Sequence, residues 1–301
     1  MANQSVRAVG LTHIRAVIKA YVALTKPRIM LFLLFTAYCA MIVAQGGVPD
    51  LQKTVAGLGG LALSAGGGAA INMWYDRDID AVMERTNRRP IPAGLVKPWH
   101  ALAVGLGLGA LSVVVLAVWC NWLSTAFSLI GYFYYAVVYT MWLKRRTPQN
   151  IVIGGGAGAF PPLVGWACVT GHQSFAAWVM FSVIFLWTPA HFWALALYKN
   201  EDYVRAGVPM MPVVRGNRST KRQMVIYTVL LVLTSWLLVN TLQAHMLYIA
   251  AATLVGFYFL RSTFVLMNSK DDEEILAKRT FFVSLMYLPT FFATVVVCSL
   301  I

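Results

Sequence analysis

Apolar residues occur along this chain in blocks too long for ordinary soluble helices, with short polar stretches between them. A helix needs about 20 mostly apolar residues to cross a bilayer. Stretches of that kind lie near residues 29–45, 54–75, 100–119, 121–142, 151–170, 173–198, 223–242, 245–265 and 280–300. The pattern predicts an all-α integral membrane protein: about nine transmembrane helices around a central cavity open to the cytoplasmic face, in a single domain over 1–301. The first stretch is somewhat short, and Lys26 and Arg28 can snorkel at its end. Two polar connections, 76–99 and 199–222, each follow a long helix that ends in carboxylates. They hint at two related halves, without a tandem repeat of 20–50 residues.

Composition sharpens this picture. The chain is 59% hydrophobic and only 12% charged, about half the roughly 25% charged residues of soluble proteins. Its net charge of +13 would suggest nucleic acid in a soluble protein. Here the bases sit between apolar runs, so a lipid bilayer is the expected partner and nucleic acid is not. Alternating the connections between two faces puts all but one of the 24 lysines and arginines on one face, the exception being Lys53. All but Asp50 of the 11 acids share that face. The positive-inside rule places it, with the N-terminus and the chemistry, in the cytoplasm.

Residues 1–26 carry Arg7, Arg15, Lys19 and Lys26 and no acid. They read as a basic cytoplasmic surface helix, an organellar presequence being the other reading of 1–20; no removable signal peptide is expected. Cys39, Cys120, Cys168 and Cys298 are widely separated in apolar surroundings. They show neither metal-ligand spacing nor a disulfide framework, and read as small core residues.

The sharpest chemical signal is Asn72, Asp76 and Asp80, four residues apart at the end of the second stretch. Each step rotates about 40° on a helix, so the three make one stripe roughly 12 Å long. Asp78 falls about 200° from Asp76 and meets Arg77 or solvent instead. Like charges four apart destabilise a helix, and the macrodipole disfavours anions at its C-terminal end. A hard divalent cation offsets both penalties, and Mg²⁺ is held by one or two carboxylates plus substrate phosphates. A solvated helix end bearing scattered acids is the plainer reading. Arg28, Arg85, Arg88, Arg89 and the run Lys144, Arg145, Arg146 fall on the same face. Guanidinium groups offer bidentate donors to phosphate. Taken singly, each basic cluster reads as a positive-inside anchor; beside the carboxylates they form a clamp for a diphosphate.

A second polar site ends the sixth stretch, where His191, Tyr198 and Asp202 can share a helix face. Asp202 is a candidate fourth metal ligand. His191 lies about two turns into the membrane, after Pro189, and has two readings: contact with a substrate or its iron, or a hydrogen bond to a neighbouring helix. His172 and His245 read as outer-surface residues. The glycine-rich segment 154–158 lacks the lysine and the preceding strand of a phosphate loop, and reads as a site of close helix approach, as do the Gly66–Gly68 and Gly105–Gly109 runs.

The Asn72, Asp76, Asp80 pattern resembles the first aspartate motif of the UbiA-type intramembrane prenyltransferases, and Thr25 to Ile29 resembles the segment that opens their first helix. Four stretches resemble the protohaem IX farnesyltransferase (haem O synthase) branch more narrowly. They are Asp76–Gly94 with its Arg88, Arg89, Pro90 core, Lys144–Asn150, Trp187–Trp193 and Gly207–Val214. The superfamily's second motif, D-x-x-x-D, has Tyr198 at its first position here and Asp202 at its second; Ala190 stands where another proline is expected.

The resemblance implies farnesyl transfer from farnesyl diphosphate to the 2-vinyl group of haem B, giving haem O and diphosphate for haem-copper oxidase assembly. It implies Mg²⁺ on Asn72, Asp76, Asp80 and Asp202, with Arg28, Arg88, Arg89, Lys144, Arg145 and Arg215 as diphosphate donors. Haem B is a substrate rather than a cofactor, with His191, Trp187, Trp193, Tyr198 and Lys221 as its candidate contacts. A bacterial cytoplasmic (inner) membrane location follows, with a haem A synthase or oxidase-assembly protein as a candidate partner. A sister enzyme acting on a quinone precursor or chlorophyllide would share the first motif but carry a fuller second one. A small transporter would place acids and bases near the bilayer midplane, whereas these lie at helix ends.

Overall fold

The computed structural model describes residues 14–269 and 273–301. Arg7 and His13 of the basic N-terminal segment, and Lys270, Asp271 and Asp272, lie outside the described residues. Within them there are nine helices long and apolar enough to cross a membrane. In order, the spans are Pro27–Gln45, Leu51–Tyr75, Pro98–Trp119, Trp122–Leu143, Asn150–Thr170, Phe175–Tyr198, Met211–Thr241, His245–Met267 and Glu273–Leu300. A helix over 14–24 precedes the first span.

Local chemistry sets where the spans begin and end. Proline occupies the first turn of the first, third and seventh spans, where no intrahelical N–H is needed. The side chains of Asp50, Asn121 and Ser174 cap the second, fourth and sixth. Gly46 and Gly171, both left-handed, close the first and fifth.

The seventh and ninth spans start earlier than their apolar stretches. The seventh begins at Met211 and runs through Arg215, Arg218, Lys221 and Arg222, with a break at Gly216 (φ 75°, ψ 165°). Apolarity marks the lipid-buried part of a helix, whereas helicity continues into the aqueous layer.

The second and third spans approach closely because side chains are missing there: a Cβ on Gly67 would lie 2.7 Å from the Gly105 carbonyl oxygen. The first span packs on the fifth, the sixth on the seventh, and the ninth returns to the first and sixth, closing a ring. The fourth span changes character part-way. Trp122–Phe133 is α-helical, and Tyr134–Leu143 is a wider π-helix. Residues five apart then share a face, which aligns Tyr135 with Thr140 and Tyr139 with Lys144. Such widening is rare and frequently found at functional sites.

Candidate active site

Asp76 ends the second span and starts the short helix Arg77–Val82. Hydrogen bonds continue across the junction, from Asp76 N to Asn72 O (2.9 Å) and from Asp80 N to Asp76 O (2.8 Å). The stripe expected from the spacing therefore survives, and Asn72, Asp76 and Asp80 are all buried. Buried carboxylates require partners, and each has found bases. Lys144 and Arg145 face Asp76, the second with Nη2 at 3.5 Å from Oδ1. Arg89 Nη1 donates to both Asp80 oxygens at 2.9 and 2.8 Å. Asp78 points away, as its angle requires, but is held by Arg145 in two bonds of 2.7 Å. That guanidinium holds the Asp78 carboxyl down at about 2.

Asn72 is the hub. Its amide nitrogen donates to Asp76 Oδ2 (2.8 Å) and to Thr140 Oγ1 (3.1 Å). Its amide oxygen accepts from Lys26 Nζ at 2.6 Å, and Lys26 also donates to the Tyr135 hydroxyl at 3.0 Å. Burial first, then the nearby charges of Arg89 and Lys144, push the Lys26 ammonium well below its usual lysine value. A cation in that position is stabilised by an arriving anion. Lys26, Tyr135 and Thr140 join the Asn72 cluster, which spacing did not reveal. Lys26 read as a snorkelling anchor, and nothing in the sequence pattern singled out Tyr135 or Thr140. Only the π-helical register turns Tyr135 and Thr140 toward Asn72.

The two polar connections meet across the site. The Glu84 N–H donates to Asp202 Oδ1 at 3.2 Å, and Arg205 lies 3.6 Å from the same oxygen. Gly207, with φ 64°, turns the chain after the helix Asn200–Arg205. Asn150, at the start of the fifth span, donates to the Pro209 carbonyl (3.4 Å).

The other predicted residues divide. Arg28, Arg88 and Arg215 are exposed, and their side chains make no hydrogen bond or ion pair among the described residues. Lys221 is buried against Glu273 Oε2 (2.9 Å) and the Ser269 carbonyl (3.2 Å), tying the seventh span to the start of the ninth. His191 Nδ1 bonds Ser284 Oγ of the ninth span at 2.7 Å. Trp187 and Phe281 stack on His191, at centroid distances of 4.2 and 4.7 Å. Tyr198 also leans on Phe281, at 6.1 Å. Trp193 lies on the opposite side of the same helix, against Tyr227 of the seventh span (5.7 Å).

The donor set suits a hard cation in chemistry, being all oxygen. One atom stands out: Asp76 Oδ1 is buried and accepts no hydrogen bond. Among the described residues, no three of His, Cys, Asp or Glu are gathered as one metal-binding group.

Residues 33–286 match the UbiA prenyltransferase family. The chain is a UbiA-family prenyltransferase. Its relatives include the protoheme IX farnesyltransferase of Symbiobacterium thermophilum, 53% identical over 90% of this chain and 91% of that one. The Agrobacterium fabrum protein of the same name is 50% identical over 91% and 86%. Among solved structures, this UbiA chain is similar to a digeranylgeranylglyceryl phosphate synthase (TM-score 0.78, 16% identity, 94% of this chain and 99% of that one). It is also similar to a UbiA homologue from Archaeoglobus fulgidus bound to DMAPP and Mg²⁺ (TM-score 0.66, 19% identity, 91% and 98%). At those identities the two structures speak for the UbiA fold alone.

Proposed function

We propose that this prenyltransferase moves the farnesyl group of farnesyl diphosphate onto the 2-vinyl group of haem B, giving haem O and diphosphate. The observation that carries the diphosphate half is the buried Asn72, Asp76, Asp80 stripe enclosed by Lys26, Arg89, Lys144 and Arg145. The haem half is supported by protoheme IX farnesyltransferases about 50% identical over nearly the whole chain.

The chain's own groups do the following. Lys26, Arg89, Lys144 and Arg145 bind the diphosphate oxygens and stabilise the charge that develops as the allylic C–O bond breaks. Both bonding electrons leave with the diphosphate. The vinyl carbon attacks the farnesyl cation, and water adds to the resulting haem-side cation with loss of a proton. Tyr135 and Tyr139, stacked at 5.8 Å, offer ring faces to a cation and keep bulk water out. Asn72, Asp76 and Asp80, with Asp202 from the facing connection, would hold Mg²⁺. That ion supplies further positive charge to the leaving group.

On the haem side the reading relies on Trp187, His191 and Tyr198. Ser284 occupies Nδ1 of His191, so Nε2 is the ring nitrogen left for an iron. The farnesyl tail stays in the bilayer while its head group reaches the cytoplasmic bases. A haem A synthase or oxidase-assembly protein would take the product.

The test is to incubate purified protein with haem B, farnesyl diphosphate and Mg²⁺ and weigh the haem product. A gain of one farnesyl group and one hydroxyl, which turns a vinyl into a hydroxyethylfarnesyl chain, is expected. Asp76→Asn and Asp80→Asn should each cut turnover by about 10²–10³ while the protein stays folded, and His191→Ala should weaken haem binding more than farnesyl diphosphate binding. An unchanged haem, or prenylation of a quinone precursor instead, would overturn the reading.

A further inference from the structure

The fold brings together two cysteines that lie 48 residues apart in sequence. Cys120 Sγ and Cys168 Sγ are 2.7 Å from each other. Cys120 stands in the corner between the third and fourth spans, and Cys168 is near the end of the fifth. Their neighbour is the first turn of the second span: the Lys53 carbonyl lies 3.4 Å from Cys168 Sγ and 3.9 Å from Cys120 Sγ. The second span ends at Asp76, so the pair occupies the membrane face opposite the carboxylate site.

The contact is built from both sides. The Asn121 amide nitrogen, next to Cys120, donates to the Ala167 carbonyl at 2.7 Å and to the Cys168 carbonyl at 3.4 Å. That fixes the two backbones against each other beside the sulfurs. Gly57 leaves the room, since a Cβ there would lie 2.7 Å from Cys168 Sγ. Cys168 is fully buried, whereas Cys120 is half-buried and approachable. Cys39 and Cys298 are buried in other parts of the core.

We propose that Cys120 and Cys168 are a disulfide-forming pair that staples the ends of the third, fourth and fifth spans. In the bond-forming step, the Cys120 thiolate attacks an external disulfide, of the glutathione or thiol-oxidoreductase class, and displaces one thiol. The Cys168 thiolate then attacks the Cys120 sulfur and displaces the second. The two cysteines lose two electrons and two protons, and the external disulfide becomes two thiols. Such a bond persists in an oxidising compartment, and the basic residues on the other face put this one outside the cytoplasm. It closes a long loop, which constrains the unfolded chain.

Cells expressing the full-length chain are quenched in acid, and the denatured protein is alkylated with a maleimide before or after reduction. Intact mass then counts the labels. Cys39 and Cys298 should label in both conditions, and Cys120 and Cys168 only after reduction, with a peptide linking the two recovered without reductant. A chain isolated reduced should form the same link when treated with oxidised glutathione in detergent. Reductant should lower the thermal midpoint of the wild-type chain and leave that of Cys168→Ser unchanged. Labelling of both Cys120 and Cys168 without reduction, in the isolated and in the glutathione-treated protein alike, would overturn the proposal. The count does not depend on prenyl transfer, so it stands or falls separately from the proposed reaction.

Discussion

Lys26 combines the two kinds of cost that a site residue carries. Its backbone is left-handed (φ 52°, ψ 58°), the one non-glycine with positive φ among the described residues. That conformation costs an L-residue roughly 1–2 kcal/mol. Its ammonium is buried between Asn72 and Tyr135 and crowded by other cations. Glycine adopts the same backbone freely. Lys26→Gly should therefore keep or raise the thermal midpoint in detergent while turnover falls about 10²-fold, the loss typical of a donor to developing charge. A parallel fall in both would make Lys26 a structural residue. At this scale the sequence was readable where the signal is local. Asn72, Asp76 and Asp80 repeat every four residues, so one helix suffices to align them. Lys26 reaches Asn72 across 46 positions, and Cys120 reaches Cys168 across 48. Neither encounter leaves a periodic trace, and the cysteines read as separate core residues.

At the scale of elements, the spans were legible from hydropathy because the bilayer demands apolar length. Their polar extensions were not, since the helix through Arg215–Arg222 carries four bases. The π-helical half of the fourth span was also hidden: its residues are as apolar as those of an α-helix, and the change lies in the hydrogen-bond register. Glycine shows which helix contacts matter. In the second span, a methyl group on Gly67 would meet the Gly105 carbonyl at 2.7 Å and the Gly109 nitrogen at 3.1 Å, all backbone that cannot yield cheaply. Gly59 in the same helix faces open space. Gly67→Ala should destabilise the protein by about 1–3 kcal/mol through overpacking, and Gly59→Ala should not. Thermal unfolding of the two variants in the same detergent checks this; equal midpoints would mean that the second and third spans separate easily.

For the whole molecule, charge asymmetry and the ring of spans put the carboxylates, Lys144 and Arg145 at one end and Lys53 at the other. The positive-inside rule turns that asymmetry into an expected orientation, with the basic end in the cytoplasm. In a chain with its native cysteines replaced by serine, an impermeant maleimide should label Val48→Cys on intact cells and Arg88→Cys only after permeabilisation. The reverse pattern would invert the topology. Asp202 illustrates what only the assembled molecule reveals: its partner is the Glu84 backbone, from the other polar connection. One consequence follows from the pairing of Asp76 and Asp80 with lysine and arginine. The bases of the resting site are already paired with its carboxylates, so an incoming head group must outcompete resident carboxylates for the same cations. On the proposed reaction, such a contest favours the head group with more anionic oxygens, so a diphosphate should displace the resident carboxylates more readily than a monoester or an alcohol.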